Sequence, residues 1–208
     1  VKLKTNPSGQ YQQAALEKIS DKLPFAVSDA MANSVVTGTS ADGGETEVLV
    51  MAAEKNTVAR QLAIYEKAGL DIKGIKAWPL AMTNSFGKFF ARRDTDAQNI
   101  AMLIDVEASH CNIAVCKHEE LLFARTIPIG FRQLGSTEMT DKLIMEADAC
   151  CKYLQSLRNG RQVNRLLFFA GKGVEESICR KISKLAEKMQ VPAQIGDVLT
   201  AVDTGTKN

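Results

Sequence analysis

One candidate phosphate site lies where a predicted strand ends in a carboxylate. Asp105 closes the apolar run 100–106, and Glu107, Ser109 and His110 follow it before the next apolar run. A tight turn of this kind binds phosphate through backbone N–H groups, while the aspartate orients a hydrated magnesium ion. Glycine is the residue that makes such a turn accessible, and this turn has none. The alternative is that Asp105 and Ser109 only satisfy backbone groups within the turn.

A second candidate site is a glycine-rich turn near the end of the chain. Gly171, Lys172 and Gly173 separate the apolar run 166–169 from an amphipathic stretch that begins at Val174. The two glycines permit close approach of the backbone, and the start of the helix that follows offers free N–H donors to an anion or a nucleotide. The alternative is that the glycines serve a sharp chain reversal and that Lys172 is a solvated side chain.

Four potential zinc ligands lie close together in the second half of the sequence, namely His110, Cys111, Cys116 and His118. Side chains alternate along a strand, so Cys111 and Cys116 point to opposite faces of the sheet. This geometry argues against a shared metal ion, and we predict no metal site here.

The five cysteines of the chain are Cys111, Cys116, Cys150, Cys151 and Cys179, an odd number within apolar segments. The adjacent Cys150 and Cys151 diverge by about 100° on a helix. This usage is typical of free, buried thiols in a reducing compartment. We therefore predict a cytosolic protein with core-packing thiols.

The composition indicates a soluble globular chain rather than a membrane, fibrous or disordered one. Of the 208 residues, 45% are hydrophobic and 24% are charged, which are average values for a globular domain. The chain is long enough to bury a hydrophobic core. Lys and Arg total 26 against 24 Asp and Glu, and the basic residues are scattered, so nothing supports nucleic-acid binding. No apolar run approaches the roughly 20 residues that a membrane-spanning helix needs.

The first part of the sequence, residues 1–90, alternates helical and strand patterns. The turn at 39–44 lies between two apolar runs and predicts a β-hairpin. The run 72–78 has the composition of a further strand, and Pro79 is placed to begin a helix. The remaining predictions are a helix over 11–23, a strand over 47–53 and a helix that Gly69 closes.

The polar stretch 91–99 has the composition of a break between two lobes, and residues 100–208 follow a different pattern. A three-stranded meander followed by alternating helix and strand is typical of a ribonuclease-H-like α/β lobe. Two such lobes in tandem make an actin-like or sugar-kinase-like fold. The predicted elements are strands over 100–106, 111–116, 121–127 and 166–169, helices over 143–157 and 174–189, and a short strand at 193–195.

Four stretches of the sequence resemble one known family. They are Val48–Lys55 with Tyr65–Leu70, Leu103–Ile113, Leu122–Gly130 and Phe168–Gly173. They resemble parts of the type IV pilus assembly proteins PilM. The first stretch resembles a strand and helix of the first lobe, and the second resembles the second phosphate loop. The third resembles the strand after that loop, and the fourth resembles the adenosine loop. With competence protein A, this family forms a branch of the actin-like ATPase superfamily that includes FtsA.

Three departures from that family pattern bear on nucleotide binding. Glu107 lies where the phosphate loop of the family has glycine, so it adds a side chain and a negative charge next to a triphosphate. Lys172 interrupts the glycines of the adenosine loop. Both changes oppose ATP binding. Only about ten residues separate Gly130 from the helix near Asp141, where the family has a small subdomain that helps to enclose the nucleotide.

The resemblance implies an α/β, actin-like (ribonuclease-H-like) fold with two lobes, incomplete at both ends because the first phosphate loop and the final strands are missing. It implies a cytoplasmic scaffold, peripheral to the inner membrane, that binds the tail of a membrane-anchored, PilN-like partner in pilus or secretion assembly. Any ATP and Mg²⁺ would bind in the full-length parent. The degenerate nucleotide site would comprise Asp105, Glu107, Ser109, Gly171, Lys172 and Gly173.

Two alternatives remain open from the sequence. An active ATPase or a sugar-kinase-like phosphotransferase would need both phosphate loops and a carboxylate base, and of these parts Asp105 alone is in place. A purely structural module that self-associates through its surface would keep the fold and bind no nucleotide.

Overall fold

The structure is a computed structural model, and it describes residues 1–6, 8–40, 42–91, 98–157, 162–170 and 176–196. The chain divides into two compact units, Val1–Ala77 and Trp78–Asn208. Each unit has a β-sheet of its own, with three strands in the first and five in the second. Both units are therefore mixed α/β structures.

The first unit is a three-stranded antiparallel sheet with two helices. Its elements are β1 (Lys2–Lys4), α1 (Gln12–Lys18), β2 (Ala30–Thr39), β3 (Glu45–Glu54) and α2 (Lys55–Lys67). The strands lie in the order β1–β3–β2, and β2 and β3 form the hairpin that the sequence predicts. The hairpin turn has Gly43 at a φ of 71°, a conformation in which a residue with a side chain would be strained.

Helix α1 is shorter than its sequence pattern predicts. It ends at Lys18, because the chain tightens there into a single 3₁₀ turn over Ser20–Lys22. Its buried side is narrow: Tyr11, just before the helix, and Ala15 pack against Val48 of β3 and form a small apolar core. The apolar residues beyond the first turns therefore do not extend the helix to residue 23.

The run 72–78 is not a strand, so this prediction is wrong. Residues 71–77 pair with no strand of the described chain, and Trp78 already belongs to the next helix. A strand needs a neighbour for its backbone hydrogen bonds, and an apolar composition cannot supply one. The helix start predicted at Pro79 is confirmed to within one residue.

The second unit is a five-stranded sheet with three helices. Its elements are α3 (Trp78–Phe89), β4 (Ile100–Val106), β5 (Cys111–Lys117), β6 (Glu120–Ile127), α4 (Thr137–Leu157), β7 (Arg165–Ala170), α5 (Glu176–Met189) and β8 (Ala193–Gly196). The strand order is β6–β5–β4–β7–β8, with an antiparallel meander from β4 to β6 and with β7 and β8 parallel to β4. The sequence of elements predicted along the chain, three strands, a helix, a strand, a helix and a short strand, is confirmed. No helix in the described part of the chain has the length and apolar character to cross a membrane.

Strand β4 lies at the centre of this sheet and is buried on both faces. Met102 and Ile104 belong to a core cluster that includes Leu143 and Leu154 of α4 and Leu185 of α5. Residues between them in the strand point the other way, toward the face on which α3 packs against β5 and β6. Helices therefore cover both sides of the sheet.

Four buried cysteines carry free thiols, namely Cys111, Cys116, Cys150 and Cys151, as the sequence predicts. The side chain of Cys179 lies outside the described part of the structure. Cys111 belongs to the core beside α4 and α5, whereas Cys116 lies next to Thr83 of α3, so the two thiols do point to opposite faces. Burial raises the pKa of both thiols to about 12. Among the described residues, no three His, Cys, Asp or Glu side chains gather as metal ligands.

The division between the two units falls before the stretch that the sequence marks as a break. Helix α3 packs on β5 and β6 and belongs to the second unit, whereas the sequence pattern assigns residues 1–90 to the first lobe. Residues 92–97 lie outside the described part of the chain. The lobe boundary at 91–99 therefore stays a prediction.

Candidate functional site

The β4–β5 hairpin carries the first candidate phosphate site at its turn. Asp105 is the penultimate residue of β4, and Glu107 and Ser109 lie in the turn that follows. The Glu107 N–H donates a hydrogen bond to the His110 carbonyl at 2.9 Å and closes the turn. Asp105 is half-buried, whereas Glu107 and Ser109 are exposed. The structure thus brings these three sequence-predicted residues together on one hairpin.

A second segment of the chain, residues 129–132, packs directly against this turn. The amides of Phe131 and Arg132 donate hydrogen bonds to two carbonyls of the turn, at 2.9 and 3.3 Å. Gly130 approaches so closely that a β-carbon on it would lie 2.4 Å from the Ser109 nitrogen. Glycine is therefore the residue that fits here, and the turn is held in place from outside the hairpin.

A row of polar side chains crosses the sheet from the turn. Asp105, Asn112 and Thr126 occupy facing positions on β4, β5 and β6. The Asn112 Nδ2 group donates to Asp105 Oδ2 at 3.4 Å, and the Thr126 hydroxyl donates to Asn112 Oδ1 at 3.0 Å. Asn112 is buried, so its two ends are both satisfied within the sheet. The Asp105 carboxylate is thereby held on the side that faces β5.

Burial raises the pKa of Asp105 above the usual value for an aspartate. The hydrogen bond from Asn112 opposes this change because it stabilises the ionised carboxylate. The neighbouring Glu107 carboxylate raises the pKa further, and His110 lowers it. Burial and like charge prevail, so the hairpin carries a carboxylate that resists ionisation beside a second negative charge.

A cavity of about 280 Å³ opens next to Asp105. Helix α3 contributes most of its walls, and β7 contributes Phe169, whose ring packs edge-on against Phe90 with centroids 5.5 Å apart. Asp105 is the charged residue among the described lining residues, which are Trp78, Ala81, Met82, Ser85, Asp105 and Phe169. The site next to the carboxylate is therefore mainly apolar.

The α3 residues that line this cavity are candidate site positions that the sequence analysis does not identify. Trp78, Ala81, Met82 and Ser85 repeat at the helical spacing of three and four residues, which is the signal that could have placed them on one face. That spacing indicates a shared helix face but not the sheet against which the face lies.

The second predicted site cannot be placed. Gly171, Lys172 and Gly173 lie outside the described residues, and the last strand residue before them is Ala170. Their assignment as the remains of an adenosine loop stays a prediction.

A larger cavity, of about 940 Å³, lies in the first unit between α1 and the start of β2. Leu16 and Val27 add apolar surface to it, and Lys55 is the charged residue among its described lining residues. The sequence does not identify this cavity because its walls come from separate parts of the chain. Side-chain amides provide much of its polar lining, from Asn6, Gln10, Gln12, Gln13 and Asn33.

The second unit combines a three-stranded meander with two parallel strands and alternating helices, as in ribonuclease-H-like lobes. This fold is that of actin-like proteins. The chain belongs to the family of type IV pilus assembly proteins PilM, whose sequence profile matches residues 7–181. No curated protein matches the sequence.

Solved structures share the fold. The chain is similar to a chain of the PilM–PilN type IV pilus biogenesis complex, with a TM-score of 0.72 and 15% identity over 97% of this chain and 66% of that chain. It is similar to the cytoplasmic domain of EpsL, an inner membrane component of the type II secretion system of Vibrio cholerae, with a TM-score of 0.50 and 11% identity over 96% and 71%. A Bacteroides thetaiotaomicron protein with an actin-like ATPase fold gives a TM-score of 0.47 and 12% identity over 98% and 66%. The chain thus spans 66% of the length of the chain it matches in the PilM–PilN complex.

The contact between Gly130 and the turn predicts a position that tolerates no side chain. Gly130→Ala is expected to lower the free energy of unfolding by about 1–3 kcal/mol, because the added methyl group overlaps backbone atoms. Urea denaturation followed by the fluorescence of Trp78, the single tryptophan, reports on the second unit. Gly135→Ala is the matched control, since a β-carbon there meets nothing within 4 Å. Equal denaturation midpoints for the two variants would contradict this role of Gly130.

The row from Asp105 to Thr126 predicts a dependence of the carboxyl pKa on Asn112. Asn112→Ala is expected to raise the pKa of Asp105 further, because the ionised carboxylate loses a donor. An NMR titration of the Asp105 side-chain carboxyl carbon measures this change. Thr126→Val is the control: it removes the outer hydrogen bond of the row and should move the pKa of Asp105 less. A pKa that falls or stays constant in Asn112→Ala would contradict the assigned hydrogen bond.

Proposed function

We propose that this chain is a scaffold of type IV pilus or type II secretion-like assembly that acts by binding a membrane-anchored partner, without a need for ATP turnover. The observation that carries the proposal is the phosphate-loop hairpin of a PilM family member in which the turn bears Glu107 and lies beneath Gly130. The chain keeps the fold of the family, while the turn between β4 and β5 is unsuited to bind phosphate.

The described residues fit a nucleoside triphosphate poorly, because two carboxylates would lie next to its negative charges. A triphosphate would meet the Glu107 carboxylate on the turn and Asp105 behind it. The two carboxylates already oppose each other, since Glu107 raises the pKa of Asp105. Asp105 is the residue that would orient Mg²⁺, and the Glu107 carboxylate beside it adds a negative charge that a triphosphate would also meet.

Steric access supports the same proposal. A phosphate loop binds through N–H groups that point toward the ligand. Here Gly130 lies against the backbone at Ser109 and His110, where a β-carbon would come within 2.5 Å of the His110 nitrogen. A phosphate could therefore approach the turn only from the sides that residues 129–132 do not cover.

A protein partner is supported by the named relatives. PilM of the solved pilus biogenesis complex is found with PilN, and EpsL is an inner membrane component of a secretion system. By analogy, the partner of this chain is a PilN-like, membrane-anchored protein with a short cytoplasmic tail. The chain would then lie in the cytoplasm, peripheral to the inner membrane, and self-association would be secondary to partner binding.

Affinity capture from membranes of the native host tests this proposal. The tagged chain should retain a PilN-like inner-membrane protein, and the yield should be the same with and without Mg-ATP. Asp105→Ala is expected to capture the partner equally well, because partner binding does not use the phosphate hairpin. Failure to capture any such protein, or capture that requires ATP and Asp105, would overturn the scaffold role.

A further inference from the structure

The cavity beside Asp105 combines apolar walls with a carboxylate. Its volume is about 280 Å³, and its large side chains come from Trp78 and Met82 of α3 and from Phe169 of β7. These three side chains are half-buried, so the described chain does not cover them fully. A cavity lined mainly by apolar and aromatic side chains, with one charged group among them, is typical of a small-molecule site.

The Asp105 carboxylate is only partly satisfied within the sheet. Asn112 donates to its Oδ2 atom at 3.4 Å, whereas Oδ1 accepts no hydrogen bond from any described residue. Among the same residues, Asp105 forms no ion pair with a lysine or an arginine. The titratable groups that act on it are those of Glu107 and His110. A half-buried carboxylate of this kind is stabilised by a positively charged partner.

The charge and the walls of the cavity exclude several classes of ligand. An anion would meet the carboxylates of Asp105 and Glu107 together. Mg²⁺ and Ca²⁺ need about six oxygen ligands or more. The described walls offer the Asp105 carboxylate and the hydroxyl of Ser85, which already donates to the Ala81 carbonyl at 2.9 Å. A neutral apolar ligand would cover the carboxylate without giving it a partner.

An organic ammonium ion matches both parts of the cavity. Its N–H groups can donate charge-assisted hydrogen bonds to Oδ1 of Asp105, while its apolar body contacts Met82 and Phe169. Tryptophan, here Trp78, is the aromatic side chain that attracts cations most strongly. At about 30 Å³ for each water molecule, the cavity corresponds to about nine waters, which limits the ligand to about ten non-hydrogen atoms.

We infer that this cavity binds a small organic ammonium ion with an aromatic body, with Asp105 as its ion-pair partner and with Trp78 and Phe169 as apolar walls. The inference goes beyond the scaffold function and does not rest on it. It gives the chain a ligand whose charge is opposite to that of a nucleotide. The carboxylates that oppose a phosphate are the same groups that attract this cation.

Three probes of similar shape test the role of the charge. Phenethylammonium is a cation, 2-phenylethanol is neutral and phenylacetate is an anion. Isothermal titration into the full-length protein at neutral pH should show that phenethylammonium binds at least about tenfold more tightly than 2-phenylethanol. Phenylacetate should show no measurable binding. Equal affinities for the ammonium ion and the alcohol would overturn the inference, because the cavity would then not recognise charge.

A variant tests the carboxylate itself. Asp105→Asn keeps the shape of the side chain and removes its charge, so the affinity for phenethylammonium should fall at least about tenfold, to that for 2-phenylethanol. An unchanged affinity for 2-phenylethanol shows that the cavity of the variant is intact. Asp141→Asn is the matched control, because it removes an exposed carboxylate of α4 and should change the affinity less than about twofold. Equal losses in the two variants would overturn the assigned ion pair.

NMR of the unmodified protein locates the ligand without any variant. Nuclear Overhauser effects should join the ring protons of phenethylammonium to the Met82 methyl group and to the Trp78 indole. The pKa of the Asp105 carboxyl should fall when the ligand is present, since the ammonium ion stabilises the ionised form. Contacts to other residues, or a constant pKa of Asp105, would overturn the inference.

Two further probes distinguish other occupants of the cavity. Butylammonium has the shape of a lysine side chain, and tighter binding of butylammonium than of phenethylammonium would assign the cavity to a lysine of a partner protein. A shift of the Asp105 carboxyl signal by Mg²⁺ alone at a lower concentration would assign it to a metal ion. Either result would overturn the inference, as would the absence of phenethylammonium binding up to about 10 mM. None of these results changes partner capture, which tests the scaffold function separately.

Discussion

The burial of β4 on both faces is the constraint on which the second unit depends. The strand is bonded to β5 on one side and to β7 on the other, and Met102, Leu103 and Ile104 are fully buried. Each such side chain contributes about 1.5–3 kcal/mol when it leaves water. A shift of register by one residue would exchange the two apolar faces and is therefore strongly disfavoured. The same constraint decides on which face of the sheet Asp105 lies. This is the face that carries α3 and the cavity lined by Asp105.

The β4–β5 hairpin, the candidate phosphate site, takes its chemistry from this position. Asp105 is a half-buried residue near the end of the buried strand β4. Its carboxyl group is therefore partly desolvated, which raises its pKa. Asn112 offsets part of that cost with a hydrogen bond, whereas Glu107 adds a like charge. Gly130 then fixes the turn through a backbone contact that leaves no room for a side chain. The hairpin is thus held in place by its surroundings, and in the proposed function its charge and limited access oppose phosphate binding.

Much of this second unit could be predicted from the sequence, because the strands from β4 to β6 are continuous apolar runs separated by polar turns. The opposite faces of Cys111 and Cys116 follow from strand geometry alone. The run 72–78 shows the limit of such patterns, since its apolar residues resemble a strand but no strand pairs with it among the described residues. The role of Gly130 and the α3 wall of the cavity could not be predicted, because both depend on contacts between segments far apart in the chain.

We propose that the β4–β5 hairpin of this PilM family member does not serve nucleotide binding. Isothermal titration of Mg-ATP and Mg-ADP into the full-length protein measures this, with Glu107→Gly and Glu107→Gln as comparison variants. We expect no binding by the unmodified protein up to about 1 mM nucleotide, and detectable binding once the side chain is removed, with a smaller gain when only its charge is removed. Micromolar binding by the unmodified protein would contradict this expectation and would indicate a nucleotide-regulated protein.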